Sequence, residues 1–295
     1  MRPATGSARL LPSHRSRAIG LEPRAIPLGS DGTFEFANLS PGEYVVQAIG
    51  EARYGSPARF GSALVLLAEA GAAPVTITAS PGATLQGTFT IEGDRESPFA
   101  FSLTPLAADP DVGPDLDLKA FGLNVHLDGA FSMTRLQGPT RFALTRAPEG
   151  WYLKSMTIGV ADITDVPFDF GSRAATVDGA DVVLSDQGGT VTGKVSSGRG
   201  EASDASVIVF PEDRDKWFAG SRYFKSARTR GDGSFRVSAL PPGDYLIAAM
   251  DPLDQRVAAG AWQDPDVLES LTSRASRVTL LESGTATVGL RVIRP

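Results

Sequence analysis

The chain has 295 residues and no cysteine. That excludes disulfides, thiolate metal sites and a cysteine nucleophile, and it leaves the redox compartment open. Histidine is nearly absent too: only His14 and His126 occur, far apart in sequence. Neither starts an H-x-x-E or H-E-x-x-H pattern, so the ligand set of a zinc peptidase is missing. No G-x-S-x-G elbow and no Walker or dinucleotide glycine pattern occurs. Gly188-Gly189-Thr190-Val191-Thr192-Gly193 is glycine-rich but opens a strand-like run, and it reads as a joint. No apolar run reaches the length of about 18 residues that a membrane-spanning helix needs. Ala63-Leu64-Val65-Leu66-Leu67-Ala68 has the length of a buried strand. Positive charge is in deficit, with 28 Lys and Arg against 34 Asp and Glu, a net charge of −6. A nucleic-acid backbone rewards the opposite balance. These absences predict no catalytic residues, no cofactor, no metal and no nucleic-acid partner.

What is present is a repeated motif. Asp31-Gly32-Thr33-Phe34-Glu35-Phe36 leads to Leu39-Ser40-Pro41-Gly42-Glu43-Tyr44. Asp232-Gly233-Ser234-Phe235-Arg236-Val237 leads to Leu240-Pro241-Pro242-Gly243-Asp244-Tyr245. A degraded copy, Asp128-Gly129-Ala130-Phe131-Ser132-Met133 and Leu136-Gln137-Gly138-Pro139, lies between them. Leu follows Asp by the same interval each time, and successive copies are roughly 100 residues apart, the size of a small domain. Asp-Gly supplies the positive φ angles of a tight hairpin turn. Phe34 and Phe36 then face one way and Glu35 the other, as a half-buried strand requires. Pro and Gly turn the chain again before Tyr44 or Tyr245 opens the next strand. This arrangement predicts a tyrosine corner, a buried phenol bonded back to nearby backbone; the middle copy has Arg141-Phe142 there and lacks the hydroxyl. Expected core residues are Phe34, Phe36, Leu39, Phe131, Leu136, Phe235, Val237 and Leu240. Turn chemistry accounts for Asp31, Asp128 and Asp232 without a metal.

More of the repeat aligns around the motif. Strand-like runs ending in Pro precede each Asp-Gly: Ala8–Pro12, Phe101–Pro105 and Val207–Pro211. Upstream again, Leu85-Gln86-Gly87-Thr88-Phe89 matches Val191-Thr192-Gly193-Lys194-Val195. Apolar runs close the units at Val75–Ile77, Val182–Leu184 and Val288–Val292. The expected domains are residues 1–79, N-terminally truncated, 80–186, divergent, and 187–295, with short joints at Ala79–Gly82 and Ser185–Gly189.

The unit Gly-x-Val, strand ending in Pro, Asp-Gly-x-Phe and Leu-x-Pro-Gly-x-Tyr resembles the carboxypeptidase regulatory-like domain. The tail from Trp262 to Leu271, followed by Ala275–Leu280, is similar to the ending of bacterial tandem versions. The resemblance covers residues 187–295 best, then 1–79, and 80–186 least. It implies an all-β fold: tandem Ig-like or transthyretin-like antiparallel β-sandwiches, grouped with carbohydrate-binding-like folds, with one short helix near the C-terminus. It also implies an exported protein, periplasmic, outer-membrane associated or extracellular. The carboxypeptidase of the family name is a separate domain, absent from this sequence, and fold does not transfer activity.

The cluster with binding character is Pro211–Phe224, where aromatic residues sit among charges. Sugars and protein partners are both held by such loops. Trp217, Phe218, Arg222, Tyr223 and Phe224 are therefore the candidate ligand-binding residues, set against the alternative that Trp217 or Phe224 covers an end of its own sandwich. Asp264 and Pro265 predict a helix start, with Trp262 pinning that helix to the third domain, and Trp151-Tyr152 reads as core or rim of the second. Asp109, Asp111, Asp115 and Asp117 read as a solvated acidic loop, with a calcium site as the alternative. His126 is expected at the surface. The first thirty residues carry Arg2, Arg9, Arg15, Arg17 and Arg24 but no continuous apolar core of about seven residues, so no secretory signal is read here. By the repeat alignment the strand that should pair ahead of Pro12 would begin before residue 1, so the first domain is expected to be incomplete, with residues 1–6 poorly ordered. Three functions stay open: a noncatalytic structural or interaction array of spacer or adhesion type, with a glycan or another surface protein as partner; a carbohydrate-binding protein; or an accessory portion of a larger peptidase or outer-membrane transporter.

Overall fold

Strands make up most of the regular structure, as the alternating patterns require. A computed structural model describes residues 6–12, 24–50, 58–69, 71, 73–94, 101–109, 123–126, 128–198, 200–250 and 261–293. The chain divides into two units. One comprises Met1–Thr88, Pro105–Arg141 and Ile158–Ala180; the other comprises Phe89–Thr104, Phe142–Thr157 and Asp181–Pro295. The fold is all-β with one short α-helix among the described residues.

The three Asp-Gly turns are built alike. Gly29 N donates to Thr33 O and Gly32 N to Gly29 O, at 2.8 Å each. His126 and Ala130, then Arg230 and Ser234, repeat the wider bond at 2.8 Å. Gly32, Gly129 and Gly233 have φ of 86°, 85° and 71°, the left-handed region that favours glycine. Only the glycine of the pair is left-handed at Asp31-Gly32 and Asp232-Gly233, which corrects the expectation that both residues are. The aspartate acts through its side chain instead, since Asp31, Asp128 and Asp232 each accept the backbone N–H two residues on, at 3.0 Å. This is a type I turn closed by a left-handed glycine, a common three-residue hairpin loop. Asn38, Arg135 and Ala239, each just before the motif leucine, are also left-handed, with φ of 58°, 71° and 60°. Sequence inspection gave no sign of that for Arg135 or Ala239.

In the first unit, β1 (Gly6–Pro12), β2 (Arg24–Pro27), β3 (Gly42–Gly50) and β4 (Arg59–Leu67) form one sheet in the order β2-β1-β3-β4. Leu10, Tyr44 and Val46 are its buried centre, with Phe34, Phe36, Leu39, Val65, Leu67 and Ile77 packed against them. Phe34, Phe36 and Leu39 are only half-buried, and Thr33–Ala37 carries no strand, contrary to expectation. The physical reason lies in the other two copies. There β8 (Ala130–Leu136) pairs with β5 (Ala83–Glu92), and β18 (Ser234–Leu240) pairs with β14 (Gly189–Ser197). Among the described residues no strand pairs with Thr33–Ala37. Of the residues expected to be poorly ordered, 1–5 lie outside the described residues, while Gly6 begins β1.

Residues 83–185 supply a six-stranded sheet and a three-stranded one. With β6 (Ser102–Ala107), β7 (Leu123–Val125), β9 (Pro139–Arg146), β10 (Tyr152–Ile158), β11 (Ala161–Asp162), β12 (Phe168–Asp169) and β13 (Thr176–Ser185), their orders are β11-β10-β13-β5-β8-β7 and β12-β9-β6. Phe131 and Leu136 are buried as expected.

In the second unit, β15 (Gly200–Glu201), β16 (Ser206–Pro211), β17 (Lys225–Arg228), β19 (Gly243–Met250), β20 (Ser276–Leu280) and β21 (Thr285–Ile293) join β14 and β18. The pairing β17-β16-β19-β20 reproduces β2-β1-β3-β4 down to the register. Pro211 sits opposite Tyr245 as Pro12 sits opposite Tyr44, and Val278 sits opposite Tyr245 as Val65 does opposite Tyr44. The closing strand β21 runs parallel to both β14 and β19, within sheets that are otherwise antiparallel. Strand β16 is buried along its whole length because both of its faces are covered. Val207 and Val209 face a core with Phe235, Val237, Leu240 and Tyr245. Ile208 and Phe210 face Trp262, Leu268 and Leu271. Leu268 and Leu271 belong to helix α1 (Pro265–Thr272), which Asp264 caps by accepting from Asp266 N at 2.9 Å, with Pro265 in the first turn.

Both tyrosine corners are formed. Tyr44 Oη donates to Ser40 O at 2.8 Å and Tyr245 Oη to Pro241 O at 2.6 Å.

Candidate functional site

The segment after β16 leaves the sheet at Pro211, and Asp213 caps a single 3-10 turn at Arg214–Lys216 by accepting from Asp215 N at 3.1 Å. The turn brings Trp217 back onto the strand it came from. Its indole N–H donates to Pro211 O at 2.8 Å, and its ring meets Phe210 at 5.8 Å between centroids. The Arg214 guanidinium lies 5.7 Å from the same ring. Trp217 and Phe218 are half-buried. Tyr223 and Phe224 are buried, Tyr223 beside Tyr245 at 6.2 Å and Phe224 beside Trp262 at 5.6 Å. Arg222 donates to Leu153 O at 2.9 Å, Lys154 O at 2.7 Å and Tyr223 Oη at 2.9 Å. The loop thus brings the five candidate residues into one stretch but points them at different neighbours. Trp262 pins α1, as expected, and Trp151 and Tyr152 are buried.

What the sequence did not show is the polar ground beneath Arg222. A cavity of about 430 Å³ is lined there by Glu149, Trp151, Tyr152, Ser221, Arg222 and Lys225 among others. Ser221 Oγ is buried and makes no hydrogen bond, and the Tyr152 hydroxyl is buried beside Ser185. Desolvation pushes the Tyr152 phenol above its ordinary value and the Lys225 ammonium below its own. Lys154 bridges Glu282 and Glu92, at 2.6 Å each, and hydrogen bonds to those two carboxylates hold its ammonium well above the usual range. The signal available in sequence was weak, because Trp151-Tyr152 lies about seventy residues from Arg222 and no periodicity links them.

Among the described residues no group of three or more acidic or histidine side chains could hold a metal ion. His126 is exposed, as expected. His14, Asp111, Asp115 and Asp117 lie outside the described residues. No helix among the described residues is long and apolar enough to cross a membrane.

No protein-family model matches the chain, and no curated protein is similar to it. Among solved structures the chain is similar to a streptococcal ancillary pilin, at 14% identity over 100% of this chain and 94% of that one, with a TM-score of 0.27. It is similar to BcpA, the major pilin subunit of Bacillus cereus, at 10% identity over 98% and 94% of the two chains, with a TM-score of 0.25. It is also similar to the Bacillus anthracis TIE protein, at 12% identity over 99% of this chain, with a TM-score of 0.24. The chain spans 47% of the length of the TIE protein.

Proposed function

We propose that the chain is a noncatalytic structural or interaction array of an exported bacterial surface protein, built from three tandem sandwiches of carboxypeptidase regulatory-like type over residues 1–79, 80–186 and 187–295. The observation that carries this reading is where the polar side chains of the joints go. Gln137 Nε2 donates to Phe60 O at 3.1 Å and to Ser80 O at 2.9 Å, and so ties the first repeat to the second. Arg222 clasps the Leu153 and Lys154 carbonyls, and Lys154 bridges Glu92 and Glu282, where the second repeat meets the third. Side chains spent on carbonyls of a neighbouring repeat fix a joint and turn over no substrate. An interaction role is also supported by Leu64 and Leu66 on the outer face of β4, which are 60% and 71% exposed. By register the matching positions of β20 are Arg277 and Thr279.

The test is calorimetry of the full chain. Residues 80–295 should unfold as one transition, and Arg222→Ala should split it or lower its midpoint. An unchanged profile would remove the fixed joint from the reading.

A carbohydrate-binding role is favoured by one observation, the buried and unpartnered Ser221 hydroxyl in a cavity walled by Trp151 and Arg222. A broad glycan screen of the full chain separates the readings. A hit lost on Trp217→Ala with the fold retained supports sugar binding, and a blank screen removes that reading.

A further inference from the structure

Lys225 is a cation on the inner side of a sandwich. It opens β17 opposite Val209, and Ala227 follows opposite Val207. Residues directly opposite on paired strands share a face, and Val207 and Val209 face the core of the third repeat. The Lys225 side chain therefore starts on the core side of β17. Burial holds its ammonium below the ordinary value, and no charged neighbour offsets the lost water. Among the described residues no carboxylate pairs with it. The matching position of the first repeat is Arg24, opposite Leu10. Arg24 is exposed and donates to Ala37 O at 3.3 Å. Both repeats carry a cation at this register position, and in the third it is drawn inside without a partner.

A desolvated charge without a counter-charge is costly, and folded proteins pair such groups. Lys225 lines the cavity of about 430 Å³ beneath Arg222, and every residue lining that cavity belongs to the second unit. The charged side chains of the lining are Glu149, Arg222 and Lys225, so positive charge is in excess there. Arg222 is already engaged by the Leu153 and Lys154 carbonyls. Glu149 is exposed and makes no ion pair with Lys225. Lys225 is thus the cation left for a ligand. The rest of the wall is mixed. Pro148 and Trp151 give it apolar surface, and Ser238 and Gln263, both half-buried, give it a hydroxyl and an amide. One ammonium suits one carboxylate, the hydroxyl and the amide suit hydroxyl groups, and the apolar wall suits the C–H face of a ring.

We propose that this cavity binds a sugar acid, a hexuronate whose carboxylate pairs with Lys225, whose hydroxyls bond to Ser238 and Gln263, and whose apolar side lies against Pro148 and Trp151. It rests on the sugar-binding reading of the same cavity and adds the class of sugar and the residue that selects it. A hydrogen bond between two ionised groups is stronger than one between neutral groups. Lys225 therefore favours the acid over a neutral sugar of the same shape. A carboxylate without the sugar ring forgoes the hydroxyl and apolar contacts.

The experiment titrates the full chain with methyl glucuronide, methyl glucoside and propionate, followed by calorimetry. The two glycosides differ by a carboxylate in place of a hydroxymethyl group. The glucuronide should bind saturably, one to one, and at least about tenfold more tightly than either of the others. Hydrogen exchange of the unmodified protein should slow at Trp151–Leu153 and Ser221–Lys225 when the glucuronide is added, a readout that needs no variant. Lys225→Met should weaken glucuronide binding by at least about tenfold. Lys194→Met should leave it unchanged, since Lys194 pairs with Glu201 outside the cavity. Equal binding of the glucoside would overturn the proposal and leave the sugar-binding reading standing. Propionate binding as tightly as the glucuronide would overturn it in favour of a plain carboxylate site. Unchanged exchange at both segments, or full affinity in Lys225→Met, would overturn the placement. Absence of saturable glucuronide binding would overturn the proposal outright, and binding of none of the three would count against the sugar-binding reading as well.

Discussion

Tyr245 Oη donates to Pro241 O at 2.6 Å, four residues upstream, with the ring fully buried and Pro211 opposite it on β16. Tyr44 repeats the bond to Ser40 O at 2.8 Å with Pro12 opposite. The hydroxyl satisfies a carbonyl in the crossing between two strands, which fixes the chain's return path. Tyr245→Phe should lower stability by about 0.5–1.5 kcal/mol, the net contribution of one such hydrogen bond. Denaturant unfolding measures it. An unchanged midpoint would show that the carbonyl finds another donor.

Ala239 carries a cost that its neighbours in the repeat share. Its φ of 60° places an alanine in the left-handed region. That conformation costs an L-residue about 1–2 kcal/mol, and glycine in exchange adds about 0.5–1 kcal/mol of chain entropy to be lost on folding. Ala239→Gly should therefore stabilise the fold by up to about 1 kcal/mol, read as a raised denaturation midpoint. Destabilisation would mean that the buried methyl group contributes more than the strain removes.

Gly193 and Gly289 make a matched pair of probes on adjacent strands. A Cβ on Gly193 would meet Val288 O at 1.9 Å, whereas one on Gly289 meets nothing within 4 Å. Gly193→Ala forces two backbones apart and should cost about 1–3 kcal/mol. Gly289→Ala should change stability by less than about 0.5 kcal/mol. Chemical denaturation of the two variants in parallel decides the matter, and equal effects would refute the close crossing.

Asp232 gives a prediction in pH. Hydrogen bonds from the Ser234 hydroxyl, then from the Ser234 backbone N–H, hold its carboxyl below the ordinary value. A depressed folded-state value means that the turn's contribution is present above the unfolded-state pKa and is lost as pH falls through the folded one. In an NMR titration the Asp232 midpoint should lie below that of an unstructured aspartate, and Ser234→Ala should move it upward. A midpoint unmoved by that substitution would deny the hydroxyl its role. Asp31 should behave the same way through Thr33.

The sequence by itself determined whatever depends on neighbours along the chain. Asp-Gly with a hydroxyl or amide two residues on specifies a turn, alternating Phe235 and Val237 specify a one-sided strand, and Asp264-Pro265 specifies a helix start. Each is a contact over a few residues, so each is legible in order and spacing. The tyrosine corners followed for the same reason, while the all-β class came from the resemblance that these local motifs carry. The tertiary structure alone decided which alternating segments become strands. Thr33–Ala37 has the pattern of Ser234–Leu240 but carries no strand, because a strand needs a hydrogen-bonding partner from a distant segment and pattern cannot supply one. It also decided where the side chains of the Pro211–Phe224 loop go. Composition placed five binding-type side chains together, and packing turned Tyr223 and Phe224 into core and aimed Arg222 at two carbonyls about seventy residues away. The left-handed turn at Ala239 was likewise invisible, since nothing in an alanine announces positive φ, and only the crossing of β18 into β19 imposes it.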